Sequence, residues 1–237
     1  MDIINRPMVG IIGAMADEVA LIKKNMSVEK TVNVAGNEFF AGTVNGRKTV
    51  LVQSGMGKVN AGVCAQLLIS LFGAGAVINT GVAGSLCDDI DIGDFVVSTD
   101  AVQHDFDVSP IGFAKGEIPY TGKYAFPADE RLRKAAVNAL ELSSPDKKVF
   151  EGRICSGDQF ITSASQKEAI VAQFGGLCCE MEGAAIAQVC YLNSTPFVII
   201  RAVSDKVNGE NHVDFATFAK EAAERCSEAV LRSLADI

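Results

Sequence analysis

The chain has 237 residues, of which 49% are hydrophobic and 21% are charged, and its 21 basic and 29 acidic side chains give a net charge of −8. This composition excludes disordered, fibrous and low-complexity proteins and allows one large hydrophobic core. The acidic balance, without a long lysine or arginine cluster, argues against a nucleic-acid polymer as the main ligand.

Neither a signal peptide nor a membrane span is predicted. The first seven residues lack a basic head followed by a long apolar stretch. The uncharged stretch 59–87 is long enough to cross a bilayer, but polar residues interrupt it, and Gly73 and Gly75 divide it. Seven cysteines without a C-x-x-C pair indicate small buried side chains in a reducing compartment. We therefore expect a cytoplasmic protein that does not bind membranes.

Short apolar runs alternate with helical patterns along the chain. The first run, Met8–Gly13, predicts a buried strand, and Asp17 and Glu18 then predict the start of a helix that continues to Lys24. Hydrophobic residues spaced three and four apart between 64 and 72 predict the next helix. Further strands are predicted at Val50–Val52, Ala76–Ile78, Phe95–Val97, Val149–Cys155 and Phe197–Ile200, and further helices near 129–141, 165–174, 182–192 and 215–235.

This alternation predicts an α/β fold with a mixed, mainly parallel twisted sheet that helices cover on both faces, as a three-layer α/β/α sandwich. No linker, repeat or change of composition divides the chain, so we expect one domain over residues 1–237. The segment 109–127 contains three prolines, three glycines and four aromatic residues. Such a segment is typical of a lid or an interface rather than of a disordered loop.

Acidic residues follow several of the predicted strands, where parallel α/β sheets collect ligands. Asp205 ends an almost wholly apolar run, where burial disfavours the charged form and suits a carboxyl that holds and donates a proton. Glu180 and Glu182 precede a helix start, whose dipole stabilises an acid by about 0.3–1 kcal/mol and so explains one of them. Glu18 lies in a similar strand-to-helix turn. The alternative in each case is a cap or an ion pair, for Asp205 with Arg201.

The other motifs carry weaker signals. Gly55-Met-Gly-Lys58 lacks the Walker A spacing, and no Gly-x-Ser-x-Gly elbow occurs. His104 precedes Asp105 without a nearby cysteine or second histidine, so we expect a polar strand end and no metal site. The segments 80–85 and 156–161 are predicted as turns after strands, rich in Gly, Ser and Asp. Several such turns indicate one shared cleft.

In their order along the chain, these motifs resemble the nucleoside phosphorylase/hydrolase family. The resemblance implies a nucleoside phosphorylase-like fold and hydrolysis of the N-glycosidic bond of 5'-substituted adenosines to adenine and a free ribose. It implies neither a metal nor an organic cofactor. It does not rank methylthioadenosine, S-adenosylhomocysteine, 5'-deoxyadenosine and aminodeoxyfutalosine as substrates. The matching segments are 10–18, 54–58, 79–84, 104–107, 156–160, 180–182 and 201–205.

The resemblance also implies roles for individual residues. Glu18 is expected to activate the attacking water, and Glu182 to accept hydrogen bonds from the ribose hydroxyls. Asp205, placed by Ser204, is expected to protonate N7 of the adenine, as glycoside hydrolysis requires a proton donor to the leaving group. Arg201 is expected beside the water and the acidic cluster. The other substrate-binding residues that the resemblance implies are Met15, Met56, Phe160, Ile161, Glu180, Met181 and Phe215.

A homodimer is implied as well, because in this family the loop that matches Ile111, Phe113 and Pro119 reaches into the partner's site. One substrate-site position departs from the family pattern. Many relatives have a serine where this chain has Val82, and the serine hydroxyl helps to hold the water. Val82 therefore removes one contact to the attacking water.

Two alternative functions stay open at this point. A phosphorolytic enzyme of the same fold would need arginines in its phosphate pocket, whereas Asp17 and Glu18 after the first strand would repel phosphate. A non-catalytic nucleoside-binding protein would bind without turnover, and the complete set of acids argues against it. Hydrolysis is the function that the residues favour.

Overall fold

Ten strands and six α-helices alternate in the computed structural model, which describes residues 7–206 and 211–237, without the side chains of 211–214 and 216. Residues 1–6, which argued against a signal peptide, lie outside this description. The strands are β1 (Met8–Gly13), β2 (Met26–Val34), β3 (Asn37–Val44), β4 (Arg47–Gln53), β5 (Ala74–Ser85), β6 (Phe95–Gln103), β7 (Phe126–Pro127), β8 (Val149–Ser156), β9 (Cys178–Glu180) and β10 (Phe197–Asp205). The helices are α1 (Ala16–Lys24), α2 (Lys58–Ser70), α3 (Glu130–Ser143), α4 (Ala164–Phe174), α5 (Gly183–Leu192) and α6 (Asn211–Ser233).

The described strands form one mixed sheet in the order β2-β3-β4-β1-β5-β10-β6-β8-β9, with β7 paired to β6. Because β9 also pairs with β5, the five strands from β5 to β9 in this order close into a ring. The predicted mixed sheet is confirmed. Five described pairings are parallel and five are antiparallel. Two of the antiparallel pairings are the hairpins that join β2, β3 and β4. Both hairpin turns place two residues at positive φ, Ala35–Gly36 and Asn45–Gly46.

Helices cover both faces of the sheet, which confirms the three-layer arrangement. α1, α3 and α6 pack on the face that buries Ile11, and α2 and α5 pack on the face that buries Ile12. Neighbouring residues of one strand serve opposite cores because strand side chains alternate between faces. α4 covers a smaller cluster that contains Phe174 and Cys155. All seven cysteines are free, and all but Cys87 are buried.

Two regions differ from their predicted structure. The segment 80–85 is not a turn but the last part of β5, because it continues to pair with β10 as far as the pair Gly84–Asp205. The uncharged stretch 59–87 divides between α2 and β5, and none of the helices in the described residues is long and apolar enough to span a membrane. The extent of the domain, 1–237, stays a prediction.

The topology brings several strand ends to one place. β1, β4, β5 and β10 run parallel, so their carboxyl ends meet at one edge of the sheet. β9 runs antiparallel to β5 and pairs with its last residues, Gly84 with Cys179. The ring therefore carries the carboxyl ends of β8 and β9, which pair in parallel through Ser156 and Glu180, to the same edge.

Candidate active site

A cavity lies where these strand ends meet. All of the predicted catalytic and substrate-binding residues except Arg201 line it, so the structure brings together segments that are far apart in the chain. Five lining residues, next to predicted ones in sequence or across the sheet, were not predicted: Ala14, Ala83, Gly84, Gln159 and Cys179. The predicted ones are Met15, Glu18, Met56, Val82, Phe160, Ile161, Glu180, Met181, Glu182, Ser204, Asp205 and Phe215.

Glu18 is held in the cavity by three backbone amides. Its Oε2 accepts hydrogen bonds from the amides of Ala14 (2.7 Å) and Met15 (2.9 Å), and its Oε1 accepts one from the amide of Val82 (3.0 Å). Since Met15 is the residue before α1, Glu18 also caps this helix. Burial, at 4% exposure, raises the pKa of Glu18, although the charge of Arg201 and the three amides oppose the shift. The carboxyl therefore binds a proton more readily than an exposed glutamate.

Glu180 and Arg201 form a buried ion pair beside the cavity. Glu180 accepts hydrogen bonds from the Arg201 guanidinium, the Ser156 hydroxyl and the amide of Gly183 at the start of α5. Although burial opposes it, these partners, the Arg201 charge above all, lower the pKa of Glu180. Arg201 also donates to Asn79 Oδ1 at 2.5 Å. Of the two glutamates, Glu180 is therefore the one whose position is explained by the start of α5, because the helix dipole stabilises a negative charge there.

Arg201 lies beside the cavity and is not among the residues that line it, and its expected contact with the substrate stays a prediction. Its side chain is 1% exposed. The buried charge is tolerated because Glu180, which pairs with it, and the nearby Glu18 balance it. Arg201 thus acts on the cavity through the two glutamates that it faces. Its predicted place beside the acidic cluster agrees with this geometry.

Glu182 faces the cavity with a different set of partners. Its Oε1 accepts a hydrogen bond from the amide of Gly57 (2.8 Å), in the turn before α2. Gly57 has φ +96°, and a side chain there would approach Asp158, so the turn requires glycine. Burial and the charge of Glu180 raise the pKa of Glu182 to about 7. The ionised carboxylate of Glu182 can accept hydrogen bonds from hydroxyl groups of a ligand in the cavity.

Asp205 ends β10 at the bottom of the cavity and is 2% exposed. Its Oδ1 lies 3.1 Å from Ser204 Oγ, which agrees with the predicted placing by serine. Its Oδ2 accepts a hydrogen bond from Nζ of Lys167 at 3.0 Å. Asp205 thus ends a buried, mostly apolar strand, and a buried lysine from α4 lies beside its carboxyl. Nothing in the polar segment 164–168 indicated this contact.

Aromatic and thioether side chains form the outer part of the cavity. The rings of Phe160, after β8, and Phe215, on α6, meet edge to face with centroids 5.4 Å apart. Phe160 is 50% exposed and Met56 is 62% exposed. A flat apolar face at the mouth of a cavity that also holds carboxyl groups is suited to stacking on a planar heterocycle.

The segment with Ile111, Phe113 and Pro119 does not reach the cavity of its own chain. Ile111 ends a short 3-10 helix and is exposed, whereas Phe113 lies against Tyr120 with ring centroids 6.4 Å apart. Tyr120 is fully exposed at a positive φ of 67°. This segment is thus an ordered projection with apolar side chains at its surface.

No group of three or more histidine, cysteine, aspartate or glutamate side chains within the described residues has the arrangement of a metal site. Asp105, in the predicted polar strand end, instead pairs with Lys58 at 2.6 Å and accepts the amide of Asp158 at 2.8 Å. These contacts tie the turn before α2 to the segment after β8. They hold two walls of the cavity together.

The chain resembles known proteins over nearly all of its length. The family model of the phosphorylase superfamily matches residues 8–235. The 5'-methylthioadenosine/S-adenosylhomocysteine nucleosidase of Staphylococcus carnosus (strain TM300) is 41% identical over 228 residues, 96% of this chain and 99% of that protein. Solved structures are similar to this chain as well.

The nucleosidase of the same name from Neisseria meningitidis, in complex with methylthio-immucillin-A, has a TM-score of 0.93 at 37% identity and covers 98% of this chain and 100% of its own. Futalosine hydrolase of Helicobacter pylori strain 26695 has a TM-score of 0.90 at 32% identity, with 97% of each chain covered. Identity of this extent over nearly complete chains shows common ancestry as well as a common fold. The chain therefore belongs to the phosphorylase superfamily.

Proposed function

We propose that the protein hydrolyses the N-glycosidic bond of 5'-methylthioadenosine, S-adenosylhomocysteine and related 5'-substituted adenosines. The products are adenine and the free 5'-substituted ribose. One observation carries the proposal: Glu18, Glu182 and Asp205 face the same cavity, each with different partners. The nucleosidases at 41% and 37% identity support the same reaction.

Cleavage of the bond between ribose C1' and purine N9 builds positive charge on the sugar and negative charge on the base. Asp205 acts as the acid: its O–H bond breaks, its proton passes to N7, and the electron pair of the C1'–N9 bond enters the purine ring. The base then leaves as neutral adenine. The position of Asp205 at the bottom of the cavity, oriented by Ser204, supports this role.

Glu18 acts as the base that takes a proton from water as the water attacks C1'. Its raised pKa supports the role, because a carboxylate with a higher proton affinity is a stronger base near neutral pH. The amides of Ala14, Met15 and Val82 hold both oxygens in place, so little reorganisation is needed during the reaction.

Glu182 binds the ribose 2'- and 3'-hydroxyls and stabilises the developing cation, while Met181 packs on the sugar. Phe160 and Ile161 hold the adenine, with the ring of Phe160 stacked on the base. Met15, Met56 and Phe215 surround the 5'-substituent. The support for these roles is the common lining of one cavity by all seven, together with the resemblance to the family.

Phosphorolysis is the alternative that the cavity does not favour. A phosphate site needs arginine or lysine side chains, and none of the described residues that line the cavity is either. Glu18 and Glu182 would instead repel an anion near C1'. Water is therefore the nucleophile that fits.

The test is adenine release from 5'-methylthioadenosine in phosphate-free buffer, followed by the absorbance of adenine or by chromatography. The expected products are adenine and 5-methylthioribose, at a rate that added phosphate does not change. Strict phosphate dependence with a sugar-1-phosphate product would overturn hydrolysis. Tight binding without any turnover would instead support a non-catalytic nucleoside-binding protein.

The 5'-substituent is the part of the substrate that this cavity leaves undefined. The solved structure at 32% identity is named a futalosine hydrolase, whereas the relative at 41% identity is named a 5'-methylthioadenosine/S-adenosylhomocysteine nucleosidase. A panel of methylthioadenosine, S-adenosylhomocysteine, 5'-deoxyadenosine and aminodeoxyfutalosine, compared by kcat/KM, ranks the candidates.

We also propose that residues 1–237 of each chain form one domain, that two chains form a homodimer, and that the protein is cytoplasmic. The exposed apolar side chains of Ile111 and its segment support the dimer, because such side chains favour burial against a second copy. Seven free cysteines support a reducing compartment.

A further inference from the structure

Lys167 is completely buried, which is exceptional for a lysine. It lies in the second turn of α4, whose first residue is Ala164, and its amide still bonds to the helix cap Ser163 at 3.1 Å. A positive charge near a helix N-terminus opposes the dipole, and a buried ammonium has a large desolvation cost. Local stability therefore does not explain this residue.

The Lys167 ammonium is directed at the proposed acid. Nζ donates to Asp205 Oδ2 at 3.0 Å and to the Lys206 carbonyl at 2.7 Å. Asp205 Oδ1 is left on the side of the Ser204 hydroxyl, 3.1 Å away. The contacts bind the two oxygens of one carboxyl to different partners, so its orientation is determined from both sides.

The other groups that the structure describes near Asp205 add no net charge that would compete with the ammonium of Lys167. The thiol of Cys179 lies close enough to sense both Lys167 and Asp205, and burial raises its pKa to about 12, so it stays neutral. Arg201 and Glu180 balance each other in their own ion pair. The charge that faces Asp205 most directly is thus the ammonium of Lys167.

We propose that Lys167 is a positioning residue for departure of the purine: it holds Oδ2 of Asp205 and stabilises the negative charge left on the carboxylate when the proton passes to the base. This inference rests on the proposed function. In the step, the O–H bond of Asp205 breaks, the N7–H bond forms, and the C1'–N9 electron pair enters the purine. Lys167 keeps its three protons throughout.

A purely structural role, in which Lys167 anchors α4 to the end of β10, is the competing explanation. The two roles differ in their dependence on the leaving group. An acid at N7 matters for adenine, a poor leaving group, but not for 4-nitrophenolate, which leaves as a stable anion. A structural defect slows both reactions alike.

The experiment measures kcat and KM of Lys167→Met with 5'-methylthioadenosine and with the 4-nitrophenyl 5-methylthioriboside. We expect kcat for adenine release to fall roughly 10–100-fold with a small change in KM, because the lost interaction belongs to the transition state. Hydrolysis of the nitrophenyl riboside should stay within about twofold. Lys167→Arg, which keeps the charge, should restore most of the adenine rate, and Glu168→Gln, an exposed neighbour on α4, should leave both rates unchanged.

A double-mutant cycle with Asp205→Asn tests whether Lys167 acts through the acid. If it does, adding Lys167→Met to Asp205→Asn lowers the rate little further, because the carboxylate to be stabilised is already gone. Lys167→Gln repeats the test if Lys167→Met does not fold by circular dichroism. Equal losses with both substrates, a normal adenine rate or fully additive losses would each overturn the proposal. Failure of the proposed function shows differently, as a wild-type protein that releases no adenine.

Discussion

The carboxylate of Glu18 lies directly against the backbone of Gly81. A β-carbon at position 81 would overlap Glu18 Oε1 and lie 3.2 Å from Nη1 of Arg201. β5 needs glycine at position 81 because the carboxylate of Glu18, the proposed base, occupies the space that a side chain at this position would fill. The next glycine of the motif has the same relationship to the acid, since a β-carbon at Gly84 would lie 2.8 Å from Asp205 Oδ2.

Gly81→Ala is expected to displace Glu18 and reduce kcat by roughly 10–100-fold, since misplacement of about 1 Å has this cost in an active site. Adenine release measures the effect. Gly62→Ala is the matched control, because a β-carbon there meets only Val189 at 3.8 Å and alanine favours the helix α2. A normal kcat for Gly81→Ala would contradict the close placement of the carboxylate.

Removal of the acid or the base is expected to have a larger effect. Glu18→Gln and Asp205→Asn should each lower kcat by about 10²–10⁴-fold, because each removes one proton transfer while preserving the shape of the side chain. Asp17→Asn changes the neighbouring exposed acid of α1 and should be neutral. The assignment of roles fails if both variants keep near-normal rates and an unchanged melting temperature.

The residues alone could predict the strands whose side chains are buried on both faces. β1, Ala76–Ile78 of β5 and Phe197–Ile200 of β10 are continuous apolar runs, so a pattern of hydrophobic residues finds these strands. β2 and β3 were missed because β2 exposes most of its side chains and shows no apolar run. The Asn45–Gly46 turn between β3 and β4 was the available signal, as this dipeptide favours a tight hairpin.

The candidate site followed from the ordered motifs, but its electrostatics did not. Glu180 and Glu182 are equivalent in sequence, and only their partners, Arg201 against Gly57, separate their pKa values. Lys167 was missed because a lysine in a polar helix start is normally exposed. The contact to Asp205 depends on how α4 packs at the end of β10, which local sequence does not encode.

The pH dependence of substrate capture should report Glu182. Because its pKa is raised to about 7 and the ionised form accepts the ribose hydroxyls, kcat/KM should fall as the pH decreases through about 7. The raised pKa of Glu18 acts in the same direction, since a base is also lost on protonation. Initial rates from pH 5 to 9 measure the profile. In Glu182→Gln the contribution near pH 7 should be lost and the midpoint of the remaining fall should move, and an unchanged midpoint would exclude Glu182 as its source.

The exposed segment around Ile111 should control assembly. Ile111→Glu places a charge on an apolar projection, so it should weaken the proposed homodimer and lower activity with it. Sedimentation velocity at several protein concentrations measures the association. Leu142→Glu, another exposed apolar residue but on α3, is the control. A wild-type chain that sediments as a fully active monomer would contradict the dimer.

Val82 offers a substitution that should increase the rate. Its amide holds Glu18 Oε1, and its side chain lines the cavity at the position where the family resemblance implies a serine. Val82→Ser should add one hydrogen bond to the attacking water, worth about 0.5–1.5 kcal/mol, and so raise kcat roughly 2–10-fold. Val82→Ala removes the methyl groups without adding a donor and separates this effect from the change in volume. If serine and alanine give the same kcat, the attacking water does not depend on a hydroxyl at this position, and Glu18 orients it without one.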